Sequence, residues 1–157
     1  MTDHFPYRIV TGRGDMTLLW RHGEGDDPAD LAVDEAGRLL AFEELRPMQD
    51  LCDRRGWKLV HEGGATLNLA PVRRWVEQPG PGPVHPGLLL EAWNFFDDLF
   101  HTLRSRTAVP AQGPLHDNAY VKLFDGEDAW TPEEESAVRT ILRAGLSLWD
   151  RESQDRR

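Results

Sequence analysis

A chain of 157 residues with 27 Asp and Glu against 18 Lys and Arg carries a formal charge of −9. That sign excludes a role built on gripping a nucleic-acid backbone, which needs clustered Lys and Arg. Its 39% hydrophobic content and six tryptophans exclude wholesale disorder, and the length suits one domain able to bury a core without staples.

In chain order, PYRIV at 6–10 is β-branched and aromatic and reads as a short strand. TGRGD at 11–15 is a turn, and MTLLWRH at 16–22 closes a hairpin with it. GEGDDPAD then reads as a solvated loop. LAVDEAGRLLAFE reads as a second hairpin with DEAGR at its tip. Leu45, Met48, Leu51 and Cys52 share one face of a short helix that starts near Leu45 or Arg46, because Pro47 is tolerated only in a first turn. Gly56 is placed to end it, and WKLV at 57–60 is another strand.

The second half reads as helical. A helix is expected from Ala70 to Glu77, then a stiff Pro/Gly connector at 79–87. Pro86 opens a long helix over 88–103. RTAVPAQGPLHDN reads as irregular and AYVKLF as a helical turn or short strand. The last helix announces itself by Thr131 as N-cap, Pro132 at N1 and Glu134 at N3, followed by an apolar stripe of Val138, Ile141, Leu142, Leu148 and Trp149. Gly145 interrupts it, costing about 1 kcal/mol relative to Ala unless a neighbour packs closely there. The expected fold is α+β: a small, mostly antiparallel N-terminal sheet packed with helices in a single pair of layers. One domain spans 1–157, with 1–66 mainly strands plus one helix, 67–153 mainly helices and 154–157 a frayed tail.

On the long helix, Leu89, Ala92, Trp93, Phe96, Leu99, Phe100 and Leu103 form one apolar stripe, widened by Leu88 and Phe95. Glu91, Asn94, Asp98 and His101 fall on the opposite strip, with Asp97 beside it. The segregation reads as a wet edge. The sharper alternative is a divalent-metal or acid–base site in which Asp97 and His101 chelate at i, i+4 and Asp98 orients His101, with His116 and Asp117 as further candidates.

Other chemistry fails on spacing. His61-Glu62 lacks a second His at i+4, and no phosphate loop or nucleophile elbow is present. Arg13-Gly14-Asp15 reads as a turn and Cys52 as a small buried hydrophobe. Arg54-Arg55 and Arg73-Arg74 read as surface ion-pairing doublets. The tryptophans read as core, with a Trp-lined small-molecule pocket as a third alternative. A single cysteine, no signal-peptide pattern and no long apolar run point to a cytoplasmic chain that touches no membrane and needs no cofactor.

Two stretches are less ordinary. Gly23–Glu35 carries Glu24, Asp26, Asp27, Asp30, Asp34 and Glu35 with no basic residue. The stretch 125–135 carries Asp125, Glu127, Asp128, Glu133, Glu134 and Glu135, again with none. Acids favour a helix N-terminus, which covers part of the second group. The remainder suggests a docking surface for a basic protein, steered electrostatically. Glu24, Asp26, Asp27, Asp30, Asp34, Glu35, Asp125, Glu127 and Asp128 are the expected contact residues.

LNLAPVRRWVEQP, LLLEAWNFFDDLFHTL and AYVKLFDG, within residues 58–150, resemble a family of small uncharacterised actinobacterial proteins. By type, the chain also resembles the small acidic immunity proteins that accompany bacterial toxins. That resemblance implies a compact α+β protein that neutralises a basic toxin or nuclease by electrostatic and steric cover, without a catalytic motif.

Overall fold

The computed structural model describes residues 2–23, 25–78, 85–125 and 129–154. Glu24, Glu127 and Asp128, most of the Pro/Gly connector and the last three residues of the expected tail lie outside the described residues.

Two long strands form the centre of the sheet. β1 (Asp3–Thr11) and β2 (Gly14–Arg21) pair antiparallel from Phe5↔Trp20 to Thr11↔Gly14. The turn is therefore tighter than TGRGD suggests. Thr11 Oγ1 accepts from Arg13 N–H at 3.1 Å, and Gly14 takes φ +133°, which a side chain would resist.

Each outer edge then carries two short strands end to end. β3 (Asp30–Leu31) and β4 (Ala41–Phe42) both pair antiparallel with β2. Between them the second hairpin closes through Val33↔Leu39, its tip tied by Asp34 Oδ1 accepting from the N–H groups of Ala36 (2.8 Å) and Arg38 (3.0 Å). On the other edge, β5 (Lys58–Leu59) and β6 (Ala65–Asn68) both run parallel to β1. The sheet is mostly antiparallel, as expected from a hairpin-rich sequence.

Alternation along β2 shows how the layers form. Met16, Leu18 and Trp20 belong to the main core, whereas Leu19 belongs to a second cluster on the opposite face. The expected layer pair is the sheet with the C-terminal helices. α1 (Leu45–Arg55) adds a smaller layer on the other face, where Met48 and Cys52 pack with Leu19, Ala32 and Leu59. Met48 and Cys52 are fully buried while Leu45 is exposed, so the apolar face of α1 is shorter than its sequence pattern. Gly56, with φ +69°, ends α1, and Trp57 N–H donates to Cys52 C=O at 2.9 Å.

Four helices cover the first face: α2 (Ala70–Glu77), α3 (Pro86–Thr102), α4 (Pro114–Asp125) and α5 (Pro132–Gln154). The whole stripe anticipated on the long helix is buried, including Trp93, Phe96 and Leu99. Each such side chain stabilises the fold by about 1.5–3 kcal/mol. At α5 the capping box forms in both directions: Glu134 N–H donates to Thr131 Oγ1 (3.1 Å) and Thr131 N–H to Glu134 Oε1 (2.8 Å). Arg139 and Arg143 reach from α5 to the last carbonyls of α2, on Trp75 and Val76. α4 corrects the sequence reading. Residues 114–118, expected to be irregular, begin a helix that runs through 119–124, with Pro114 at its first position. Among the described residues no helix is long and apolar enough to cross a membrane.

His4 is a fully buried polar side chain that packs beside the smaller core. Its ring stacks on Trp57 at 4.2 Å, and burial pushes its pKa down from the ordinary histidine value, against the Thr2 carbonyl that raises it.

Candidate functional site

The polar edge of α3 does not face one solvent channel. It divides among four partners. Asp98 accepts from Trp20 Nε1 on β2 at 3.0 Å. Asp97 accepts from Gln112 Nε2 at 2.9 Å, and Gln112 Oε1 in turn accepts from Trp93 Nε1 at 3.1 Å. Asn94 accepts from the Tyr120 hydroxyl of α4 at 2.7 Å. His101 lies 3.3 Å from an Arg104 guanidinium nitrogen, and Arg104 also donates to His101 C=O at 2.7 Å.

This geometry bears directly on the metal alternative. Asp97 and His101 are engaged by different partners, Gln112 and Arg104, and the Arg104 guanidinium lies at Nε2 of the imidazole. His116 turns its Nδ1 to Gly113 N–H at 3.1 Å, and Asp117 is exposed on α4. Among the described residues no three His, Cys, Asp or Glu side chains are placed to hold a metal ion. The edge is not simply wet either. Burial raises the pKa of Asp98 to about 6, against the Trp20 hydrogen bond that lowers it, with Asp97 and Asp30 adding repulsion. Asp97 is raised by burial as well. Tyr7, packed on Phe95, is held above its usual range by burial and by Glu91 and Asp98.

The two acidic stretches fare differently. Asp26, Asp27 and Glu35 are exposed, as a contact surface requires. Asp30 and Asp34 are not available in the same way. Asp30 takes both Nε and Nη2 of Arg21, and Asp34 caps its own turn and pairs with Arg38 at 3.3 Å. The counter-charges lie just outside the acid-rich window, where a count of acids within it does not see them. In the second stretch Asp125, Glu133 and Glu135 are exposed, but Glu134 is buried and binds Lys122 Nζ at 2.7 Å.

Nor do the two stretches share a face. Leu31 N–H donates to Thr102 Oγ1 at 2.9 Å, which fixes the first at the C-terminal end of α3. Phe96 of α3 packs on Gly145 of α5, Arg106 beyond α3 pairs with Glu152, and Lys122 pairs with Glu134, so Asp125 and the start of α5 sit at the N-terminal end of α3. α3 has 17 residues, which at about 1.5 Å per residue places the two groups some 20 Å apart along its axis. Among the described residues, the two acidic groups thus lie at opposite ends of α3.

The α4 end has a feature sequence reading missed. Ala119 and Leu123 are buried, whereas Val121 (56% exposed) and Phe124 (70% exposed) stand on the outer face. At helical spacing Asp117 and Asp125 flank them, and both are exposed. The signal was present in the spacing of Ala119, Val121, Leu123 and Phe124, but only a helical register sorts those residues into inside and outside.

Two of the cavities among the described residues have walls with side chains of both signs. One, of about 370 Å³, lies at the C-terminal end of α3 and is lined by Arg21, His22, Asp27, Asp30, His101 and Arg104. Arg21 and Asp30 answer one another there, and Arg104 is turned onto the ring and carbonyl of His101. The other lies between the β1–β2 turn, α2 and α5 and is lined in part by Trp149. The remaining tryptophans are committed elsewhere: Trp93 is buried, Trp20 binds Asp98, Trp57 stacks on His4, and Trp75 and Trp130 pack together at 5.9 Å. Comparison with known protein families, curated proteins and solved structures finds no match for this chain.

Proposed function

We propose that the chain is a non-enzymatic, acidic protein-binding module of the toxin-immunity or antitoxin type, and that the outer face of α4 is where it covers a basic partner. The observation that carries this reading is Phe124, 70% exposed beside Val121 on a helix whose other face is buried. A lone exposed apolar residue needs no explanation. Two adjacent ones, rimmed by Asp117 and Asp125 on a chain of charge −9, have the composition of a contact centre with a charged rim. Phe124 supplies the anchor and the carboxylates supply steering toward Lys and Arg. The matching partner surface is an apolar pocket ringed by basic residues, as a nuclease that itself holds phosphate presents. Asp26, Asp27 and Glu35, at the far end of α3, contribute to the long-range field rather than to the contact.

The test is affinity capture of a basic protein from the cells that make this chain, followed by titration of the purified pair. Phe124→Ser is expected to weaken binding by about thirtyfold, roughly 2 kcal/mol. Asp117→Asn with Asp125→Asn slows association and flattens its salt dependence. Asp26→Asn with Asp27→Asn and Glu35→Gln leaves the dissociation rate unchanged. Binding that survives Phe124→Ser, or that is lost only in the loop variant, contradicts the assignment.

A further inference from the structure

His4 stands on β1 beside the smaller layer, where α1 packs over Leu19, Ala32 and Leu59. Its imidazole is fully buried. Nδ1 lies 3.2 Å from the Thr2 carbonyl, a contact that an N–H satisfies, which leaves the lone pair on Nε2. Nε2 is buried and has no hydrogen-bond partner among the described residues. A second proton would go to this nitrogen and become a buried N–H with nothing to accept it. The charged groups around the ring do not supply an acceptor. Arg21 on β2 opposes a further positive charge. Asp30 on β3 and Asp3 on β1 favour one, but Asp30 is forked by Arg21, and Asp3 is exposed opposite Lys58 of β5. From α1, Arg55 lies over the Trp57 ring at 5.1 Å, and burial pushes the Cys52 thiol up, so it brings no negative charge.

We propose that His4 is a proton-operated latch on the α1 layer: protonation releases α1 and β5 from the sheet while the sheet and the C-terminal helices stay folded. The latch sits where that layer joins β1. The His4 ring stacks on Trp57, His4 C=O accepts from Val60 N–H at 2.8 Å, and Trp57 N–H donates to Cys52 C=O at 2.9 Å. These contacts tie the end of α1, through β5, to His4. The layer is thin. β4 and β5 have two residues each, and α1 buries Met48 and Cys52, whereas the main core draws on all four C-terminal helices. Segments with few buried apolar contacts open first. The closed layer holds a neutral ring, and the open layer presents an ordinary histidine. Closure is therefore fully favoured above the ordinary histidine range and weakens as pH falls through it, because the open form takes up the proton. Asp98 acts in the opposite direction in the main core, where its protonated form is the better folded one. Mild acid thus loosens α1 while it tightens the helical layer. The latch uses no residue of the outer face of α4, so it stands or falls separately from docking there.

Cys52 is the sole cysteine and is fully buried under α1, so its labelling by a dipyridyl disulfide reports opening. The full chain is labelled from pH 7.5 to 5.5, roughly one unit either side of the ordinary histidine value. Each rate is divided by that of the urea-unfolded chain at the same pH, which removes the ionisation of the thiol. The ratio is expected to be flat at the upper end and to rise by up to about tenfold at the lower, as one proton per opening requires. Amide exchange, corrected for intrinsic rates, should show Trp57 and Val60 losing protection over the same range while Leu99 and Phe100 on α3 keep theirs. His4→Phe retains a ring to stack on Trp57 and cannot take up a proton, so its ratio should not change with pH. The amide measurement needs no variant and decides the matter even where His4→Phe does not fold. A flat ratio in the native chain, the same rise in His4→Phe, or loss of protection on α3 together with Val60 overturns the proposal.

Discussion

Gly145→Ala will destabilise the fold by about 2–3 kcal/mol, although the same exchange in an exposed helix interior gains about 1 kcal/mol. The reversal comes from packing. Gly145 is buried in the middle of α5, and a methyl group there would overlap the ring and Cβ of Phe96 on α3. Phe96 cannot yield easily, because it is fully buried and packed on Phe95. The missing side chain therefore lets two helices approach, and the cost in helix propensity is offset by contact between α3 and α5. Urea denaturation of Gly145→Ala, alone and in a Phe96→Leu background, checks this. The double variant should recover part of the loss, giving a coupling energy of about 1 kcal/mol or more. A single variant as stable as the native chain would show that the helices are not in close contact at this point.

Asp98→Asn is expected to stabilise the protein by about 2 kcal/mol at neutral pH, and the gain should vanish in acid. Burial raises the carboxyl from 3.8 to about 6 in the folded state. Below 3.8 both folded and unfolded chains hold the proton, and the site costs nothing. Between 3.8 and 6 the unfolded chain ionises first, so the stability associated with the protonated side chain is lost as pH rises. Above 6 the penalty is complete. A shift of roughly two units corresponds to about 3 kcal/mol, reduced here because the asparagine amide must find its own partner. Its Oδ1 still accepts from Trp20 Nε1, so the geometry is kept. Stability of native and variant chains measured from pH 3.5 to 8 (roughly the window those two values set) should diverge with rising pH. A gain independent of pH would mean that Asp98 is not held near neutrality by its surroundings.

Much of the fold was legible because strong local signals agree with the tertiary outcome. The α3 stripe and the Thr131-Pro132-Glu134 start of α5 are cases in which spacing alone selects the buried face or the cap. β6 gave little signal. Of Ala65–Asn68 only Leu67 is buried, so this edge strand is made by pairing with β1 and not by its own alternation. α4 was obscured by Pro110, Gly113 and Pro114, which read as breakers, while just Ala119 and Leu123 anchor it in the core.

Less of the candidate site was legible. Counting acids found exposed Asp26, Asp27 and Asp125, but could not find the arginines that neutralise Asp30 and Asp34 from outside the window. It also could not tell that α3 stands between the two groups. Partners more than seventy residues away in sequence decide how Asp98 and Arg73 behave, and no local pattern carries that information.

Docking through the outer face of α4 is tested most directly by photo-crosslinking from single positions in the full chain, inside the cells that produce it. A crosslinking residue in place of Phe124 should join the chain to one basic protein, in a yield that falls when Asp117 and Asp125 are neutralised. The same residue in place of Glu35 should yield no such adduct. Adducts from position 35 and none from 124, or none from either, would contradict an interface on α4.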